Sequence, residues 1–185
     1  SALFVRGSNS TQSLILVDGI RVTSTGQGVF DFAHLPLEQI ERIEIVRGPA
    51  TLTYGGSAIG GVVNILDGRI PEEMPEDGID GVLSAQGSTV DGGRGGFARL
   101  TAGAGRFAFS IDAVKRSSDD YDIPSPTISQ ELADAEGIPR GAGGSQPNSY
   151  SELEAFGVGG SLIGDKGYIG ASFKETDSEY GVVAE

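Results

Sequence analysis

Apolar and polar positions change their rhythm about seventy residues into the chain. Leu14-Ile-Leu-Val17 is a short apolar run, followed by Asp18-Gly19 and then Ile20-Arg21-Val22, the signal for two strands joined by a two-residue hairpin turn. Pro36 ahead of Leu37-Glu-Gln-Ile40 predicts a short helix, because the fixed φ of proline suits the first helical turn. Ile43 and Ile45 alternate with Glu44, as in a half-buried strand that stops at Arg47-Gly48-Pro49. Val62-Val-Asn-Ile-Leu66 predicts a further strand, entered through the glycines of 55–61.

From there the period becomes two. Phe107, Phe109, Ile111 and Ala113 fall on one side of a strand, with Ala108, Ser110 and Asp112 on the other. The same alternation recurs over 82–88, 96–102, 153–163 and 168–175, where Ile169, Ala171 and Phe173 oppose Gly170, Ser172 and Lys174. About five strands result, each close to the roughly 9–11 residues of a tilted transmembrane β-strand. Gly103-Ala-Gly-Arg106 and Gly164-Asp-Lys-Gly167 read as tight turns, while 117–150 reads as one long polar connection. Short turns at one end and longer loops at the other suit an outer-membrane barrel, but alternation alone fits a soluble antiparallel sheet equally well.

Charge separates the same two regions. Residues 1–70 carry six acids and five bases, a net of −1, whereas 71–185 carry the other 20 acids and 8 bases, a net of −12. The boundary falls in 71–79, where two prolines and four acids predict an extended linker. A total of −13 argues against a nucleic-acid partner. The absence of Cys excludes a disulfide scaffold, a thiolate metal site and a Cys nucleophile, and the single His excludes a multi-histidine metal centre within these residues. No apolar run approaches the roughly 18 residues of a spanning helix, which leaves a membrane barrel open. Thirty glycines, more than twice the usual share of roughly 7%, call for many tight turns or close backbone approaches. The chain begins without an initiator Met or a signal-like segment, so it is expected to be a fragment or a processed product.

The stretches FVRGSNSTQSLILVDGIRV (4–22) and IERIEIVRGPATLTYGGSAIGGVVNIL (40–66) resemble the plug domain of TonB-dependent outer-membrane receptors. Arg6-Gly7, Val17-Asp-Gly19, Ile43 to Pro49, Tyr54-Gly55 and Gly60 to Ile65 appear in the family's order. The resemblance implies a mixed fold: a small α/β plug over 1–70, the linker 71–79, and over 80–185 the first antiparallel strands of an incomplete transmembrane β-barrel, with a long extracellular loop near 117–150. About five strands cannot close even the smallest roughly eight-stranded barrel, and most of the family's roughly 22 strands would lie elsewhere. It further implies an outer-membrane location, energy-coupled uptake of a scarce metal or metal chelate with the plug gating the lumen, and coupling to periplasmic TonB through a segment not present here. Outer-membrane lipid would be the other partner. No cofactor is expected; zinc or a ferric chelate would be cargo.

Candidate residues follow from the resemblance and from their own chemistry. Arg47, Glu44 and Arg6 are expected at the plug–barrel interface, with Glu44 as a partner for Arg47; on an open surface such a pair is worth at most ~1 kcal/mol. Gly48, Pro49, Gly55, Gly60 and Gly61 are expected to shape turns. They do not form a phosphate loop, since no Lys-Ser or Lys-Thr follows. Asn64, polar in an apolar strand, reads as a satisfied structural amide. The segments 64–71, 118–124 and 164–172 look most like the zinc-uptake branch, which makes Asp31 and His34 candidate ligands at the plug apex, although its His-rich loop is absent. Asp119, Asp120 and Asp122 could enrich cations at the mouth, over a range screened to ~8 Å. Two other classes compete. A secreted or surface cation-binding β-protein would need a Gly-Gly-x-Gly-x-Asp repeat, which is missing. An enzyme would need its carboxylate pairs, Glu72/Glu73 or Asp119/Asp120, on a rigid scaffold rather than in a linker and a loop.

Overall fold

The computed structural model describes residues 10–22, 30, 32, 35–123, 129–137 and 144–183. Contacts divide the chain into two units: 1–80 with 100–112 and 157–173, and 81–99 with 113–156 and 174–185. Among the described residues no helix is long and apolar enough to cross a membrane.

The first unit contains a four-stranded sheet in the order β2-β1-β4-β3. Strand β1 (Ser13–Val17) turns through Asp18-Gly19 into β2 (Ile20–Arg21), with Val17 opposite Ile20. Both turn residues have positive φ, +49° and +77°, the twist a two-residue hairpin needs. A single 3₁₀ turn at Leu37–Gln39 leads to β3 (Arg42–Arg47), and helix α1 (Thr51–Tyr54) leads to β4 (Gly61–Leu66). Strand β4 runs parallel to β1 and antiparallel to β3. The central β1–β4 pair is covered on both faces, which is why both read as apolar runs, interrupted in β4 only by Asn64. Leu14, Leu16, Ala58 and Val62 pack on one side, while Ile15, Val63 and Ile65 pack on the other against Val17, Val22, Phe30, Phe32, Leu35 and Ile40.

After residue 78 the chain forms a five-stranded sheet in the order β11-β10-β7-β6-β5: β5 (Ile79–Gly87), β6 (Arg94–Ala104), β7 (Phe107–Ser118), β10 (Ser151–Gly164) and β11 (Gly167–Tyr180). Two-residue turns, Gly105-Arg106 and Asp165-Lys166, join β6 to β7 and β10 to β11. The connection after β7 is more than the single polar loop expected. It holds a short ladder of β8 (Asp122–Ile123) against β9 (Gly144–Ser145), and helix α2 (Gln130–Glu136). Ser129 caps that helix by accepting from the Leu132 N–H at 3.2 Å, and Gly137, in the left-handed conformation, ends it.

In its first-unit part the two faces of this sheet are inverted relative to a soluble protein, whereas in the second unit Phe97, Val114, Leu153 and Ala155 form a buried apolar cluster. On β7, Ala108, Ser110, Asp112 and Val114 are buried, whereas Phe107, Phe109 and Ile111 are exposed, Phe109 at 64%. Leu100 on β6, Phe156 and Leu162 on β10, and Ile169 and Phe173 on β11 are exposed as well. A water-soluble sheet buries its aromatic face; a membrane-barrel wall turns it outward to lipid and keeps the small and polar face inside.

Candidate functional site

The most enclosed polar cluster lies where the small sheet hands the chain on to the strands, wholly within the first unit. Leu66 ends β4, and the next turn carries Asp67, Gly68 and Arg69. Arg69 is 2% exposed and Asp112, on the buried face of β7, 1%. The Arg69 Nε donates to Asp112 Oδ1 at 3.1 Å, its Nη1 donates to Asp67 Oδ2, and its backbone N–H donates to Asp67 Oδ1 at 3.0 Å. Gln39, fully buried at the end of the 3₁₀ turn, donates through Nε2 to the second Asp112 oxygen. Nη2 of Arg69 is buried without a hydrogen-bond partner. One guanidinium thus lies between two carboxylates in a dry setting, where charges interact far more strongly than at a surface.

Two further groups widen the cluster. Asp18, in the β1–β2 turn, accepts from the Asp67 N–H at 3.0 Å. Partial burial of its carboxyl raises its pKa above the ordinary 3.8, and the neighbouring Asp67 charge adds to the shift. Ser161 of β10 donates to the carbonyl of Pro71 at 2.6 Å, and the Tyr168 hydroxyl of β11 donates to Glu72 at 2.9 Å. The segment 67–72 is therefore bonded to β7, β10 and β11 in succession.

The residues expected from sequence are placed differently. Arg6, Asp31 and His34 lie outside the described residues. Glu44 does not partner Arg47: three positions apart on β3, the two point to opposite faces. Glu44 instead accepts from Arg42 at 3.2 Å and from Asn64 at 3.3 Å, while Arg47 is exposed at the strand end opposite Gly61. Asn64 also accepts from the Gly19 N–H at 3.0 Å, so it is a satisfied structural amide. Gly48, Gly55 and Gly61 have φ of +97°, +88° and +157°. Gly60 is held by hydrogen bonds, its N–H to Gln12 O at 2.9 Å and its carbonyl to the Gly48 N–H at 3.1 Å, and Pro49 is exposed beside them.

In the long connection, Asp120 accepts from the N–H groups of Ser149 and Tyr150 at 2.8 and 3.0 Å, which closes the loop onto itself. The Asp119 N–H donates to Asp91 O at 2.8 Å, and exposed Asp122 belongs to the β8–β9 ladder. Asp91 is held below the ordinary carboxylate range by hydrogen bonds from Ser88 and the Gly93 N–H. Among the described residues no group of three or more His, Cys, Asp or Glu side chains could hold a metal ion.

Arg69, Asp67, Asp112 and Gln39 were missed by sequence reasoning, although two signals were present. Asp112 is an acid on the inward side of an otherwise apolar alternating strand. Gly157 and Gly159 are two apart on β10 and so share one face.

A sheet that buries Ser110 and Asp112, turns Phe107 and Phe109 outward and bonds a small α/β unit to its buried side has the arrangement expected of a plugged barrel wall. A family model for the TonB-dependent Receptor Plug Domain matches residues 1–62, so that part of the chain is similar to the plug of TonB-dependent receptors. It is 35% identical over 128 residues to the vitamin B12 transporter BtuB of Photobacterium profundum, which covers 64% of this chain and 21% of that protein. To BtuB of Vibrio cholerae serotype O1 it is 42% identical over 95 residues, 51% of this chain and 14% of that protein. Among solved structures, the siderophore receptor PirA from Acinetobacter baumannii matches with a TM-score of 0.62 at 19% identity, over 96% of this chain and 25% of that one. A mutant of the ferric enterobactin receptor PfeA from Pseudomonas aeruginosa, in complex with enterobactin, matches with 0.55 at 23%, over 92% and 26%. These two likenesses show the fold. The chain thus spans about a fifth or less of the curated relatives' length and about a quarter of the solved receptors.

Proposed function

We propose that the protein carrying this chain imports a scarce metal chelate across the outer membrane, with the plug gating the lumen and periplasmic TonB supplying the energy. The observation that carries this reading is the plug bonded through Arg69 to the inward face of strands whose outward face is apolar. Within the metal-chelate class, a corrinoid is the favoured cargo: the identity of 35–42% is to proteins named as vitamin B12 transporters, and vitamin B12 is itself a cobalt chelate. A ferric chelate and zinc are the competing cargoes, with Asp31 and His34 as the zinc ligands and Asp119, Asp120 and Asp122 as acids at the mouth. The protein has no enzymatic role in this reading, and the secreted cation-binding alternative is disfavoured by the outward aromatic face.

Calorimetry on the receptor in outer-membrane-like vesicles tests this, with cyanocobalamin, ferric enterobactin and zinc as probes. The expected result is saturable binding of cyanocobalamin and no effect of Asp31→Ala or His34→Ala. Zinc binding weakened by both substitutions would move the cargo to zinc. Failure of all three probes would reject the metal-chelate reading.

A further inference from the structure

The chain leaves the plug through a recess that only glycine keeps open. A Cβ added to Gly157 would run into the Arg69 guanidinium, one on Gly159 into the Arg69 carbonyl, and one on Gly170 into the Ile70 side chain. On β6, a Cβ at Gly103 would come within 2.6 Å of Met74 Cε and 3.1 Å of Pro75 Cδ. Four glycines on three strands thus define a groove shaped to residues 69–75. Its centre is closed by the buried Arg69 between Asp67 and Asp112, and its next step by the bond from Ser161 to Pro71 O.

This construction differs from the other charged contacts near the exit. Arg42 reaches Glu72 at 3.9 Å and Glu41 at 3.8 Å with about half of each side chain exposed, so water can replace either bond as it breaks. Arg69 has no such exchange available, because withdrawing it would leave two buried carboxylates without their cation. Buried, glycine-fitted contact suits a part that stays in place; exposed, exchangeable contact suits a part that moves.

We propose that the groove is a fixed anchor: Arg69, held by Asp67 and Asp112 and enclosed by Gly157 and Gly159, keeps the exit of the plug on the wall at rest and while cargo passes. The second half rests on the import reading above; the first does not. The anchor makes the end of β4 a stationary point, so any displacement that opens the lumen is taken up by plug segments on the N-terminal side of Asp67.

The test is thiol accessibility in the receptor that carries these residues, with any cysteine outside them replaced by serine, since the 185 residues themselves contain none. Ser161→Cys puts a thiol under the Pro71 carbonyl, and Glu73→Cys gives an exposed reference. With a hydrophilic maleimide in isolated outer membranes, the thiol at 161 is expected to react at least tenfold more slowly than that at 73. Adding Asp112→Asn, which keeps the shape and removes the charge, is expected to raise its rate at least tenfold. Gly159→Ala, which pushes on the Arg69 backbone from the wall side, should do the same, with heat-modifiable gel mobility reporting an intact wall. Unchanged protection in both variants would overturn the anchor. In energised cells supplied with cyanocobalamin or ferric enterobactin, protection at 161 should persist during import. Labelling that rises with import would show that the exit leaves the wall and overturn the stationary role. If neither probe is imported, the cargo reading fails while the two variants still decide the anchor.

Discussion

The plug and the wall use the same side-chain alphabet in opposite senses. In the plug, Ile15, Val63 and Ile65 of the central β1–β4 pair are buried, while the edge strand β3, expected to be half-buried, is exposed throughout, Ile43, Ile45 and Val46 included. In the wall, Phe107, Phe109 and Ile111 are exposed while Ser110 and Asp112 are buried. The force is the same in both places, since apolar area leaves water at roughly 25 cal/mol per Å². What differs is where the non-aqueous phase lies: between the plug's own layers in one case, and outside the protein in the other. Which face of an alternating strand points inward is therefore a property of the surroundings, and the polar residue on the inward face becomes the informative one.

The comparison is tested hardest at the buried polar face. Asp112→Leu leaves Arg69 with one carboxylate in a closed seat, and removing one partner of a buried pair costs about 3–5 kcal/mol. Urea unfolding of the plug, followed by protease resistance in micelles, should move by that amount, and the double variant Arg69→Met with Asp112→Leu should recover part of it. A loss under ~1 kcal/mol would mean that the inward face is wet and behaves like any surface pair.

The outward face comes next. Phe109 sits near the middle of the apolar run from Phe107 to Ala113, so Phe109→Lys places a charge against hydrocarbon at a cost of about 2–4 kcal/mol. The measurement is the urea midpoint for folding into lipid vesicles. A neutral result would mean that water covers this face and would remove the basis for reading the wall as a barrel. In the plug the corresponding sensitivity lies in the backbone. Gly19 has φ +77° at the β1–β2 turn, with open space around it, so Gly19→Ala meets only the left-handed penalty of about 1–2 kcal/mol.

Much of this architecture is legible in the sequence because it depends on local rules. Asp18-Gly19 predicts its turn, since few residue pairs accept two positive φ values in succession. The alternation around Phe107 to Ala113 predicts β7, since the strand period is fixed by backbone geometry. Family motifs then choose between a soluble sheet and a barrel, a choice that periodicity cannot make. The seat of Arg69 is not legible, because it joins residues 43 and 73 positions apart and nothing local in Asp67-Gly-Arg69 says which strand supplies the second carboxylate. The proposed Glu44–Arg47 pair fails for a simpler reason: an odd spacing on a strand separates the faces. Helix α2 was signalled, by a Ser at its N-cap and a Gly at its end, inside a stretch whose polarity reads as loop.

The smallest predicted effect is also the one that separates the plug's own electrostatics from those of the seat. Asp18 is linked to the cluster through the Asp67 N–H, its carboxyl is only partly buried at the turn, and its raised pKa means that the folded plug prefers it protonated. A pKa higher folded than unfolded adds stability that is complete below the ordinary value of 3.8 and is lost as pH rises through the folded value. At neutral pH the ionised Asp18 is therefore mildly unfavourable. Asp18→Asn keeps an acceptor for the Asp67 N–H, tolerates the positive φ and removes the charge facing Asp67. It should raise the unfolding free energy at pH 7 by less than ~1 kcal/mol, because solvent screens a partly exposed turn, and the gain should vanish as pH falls towards 3.8. A gain that persists at the acid end would trace to the turn conformation instead. A loss at pH 7 would mean that the ionised carboxylate is held by the Asp67 amide and Arg69 more strongly than it is repelled by Asp67, which would bring Asp18 into the anchor as a working member.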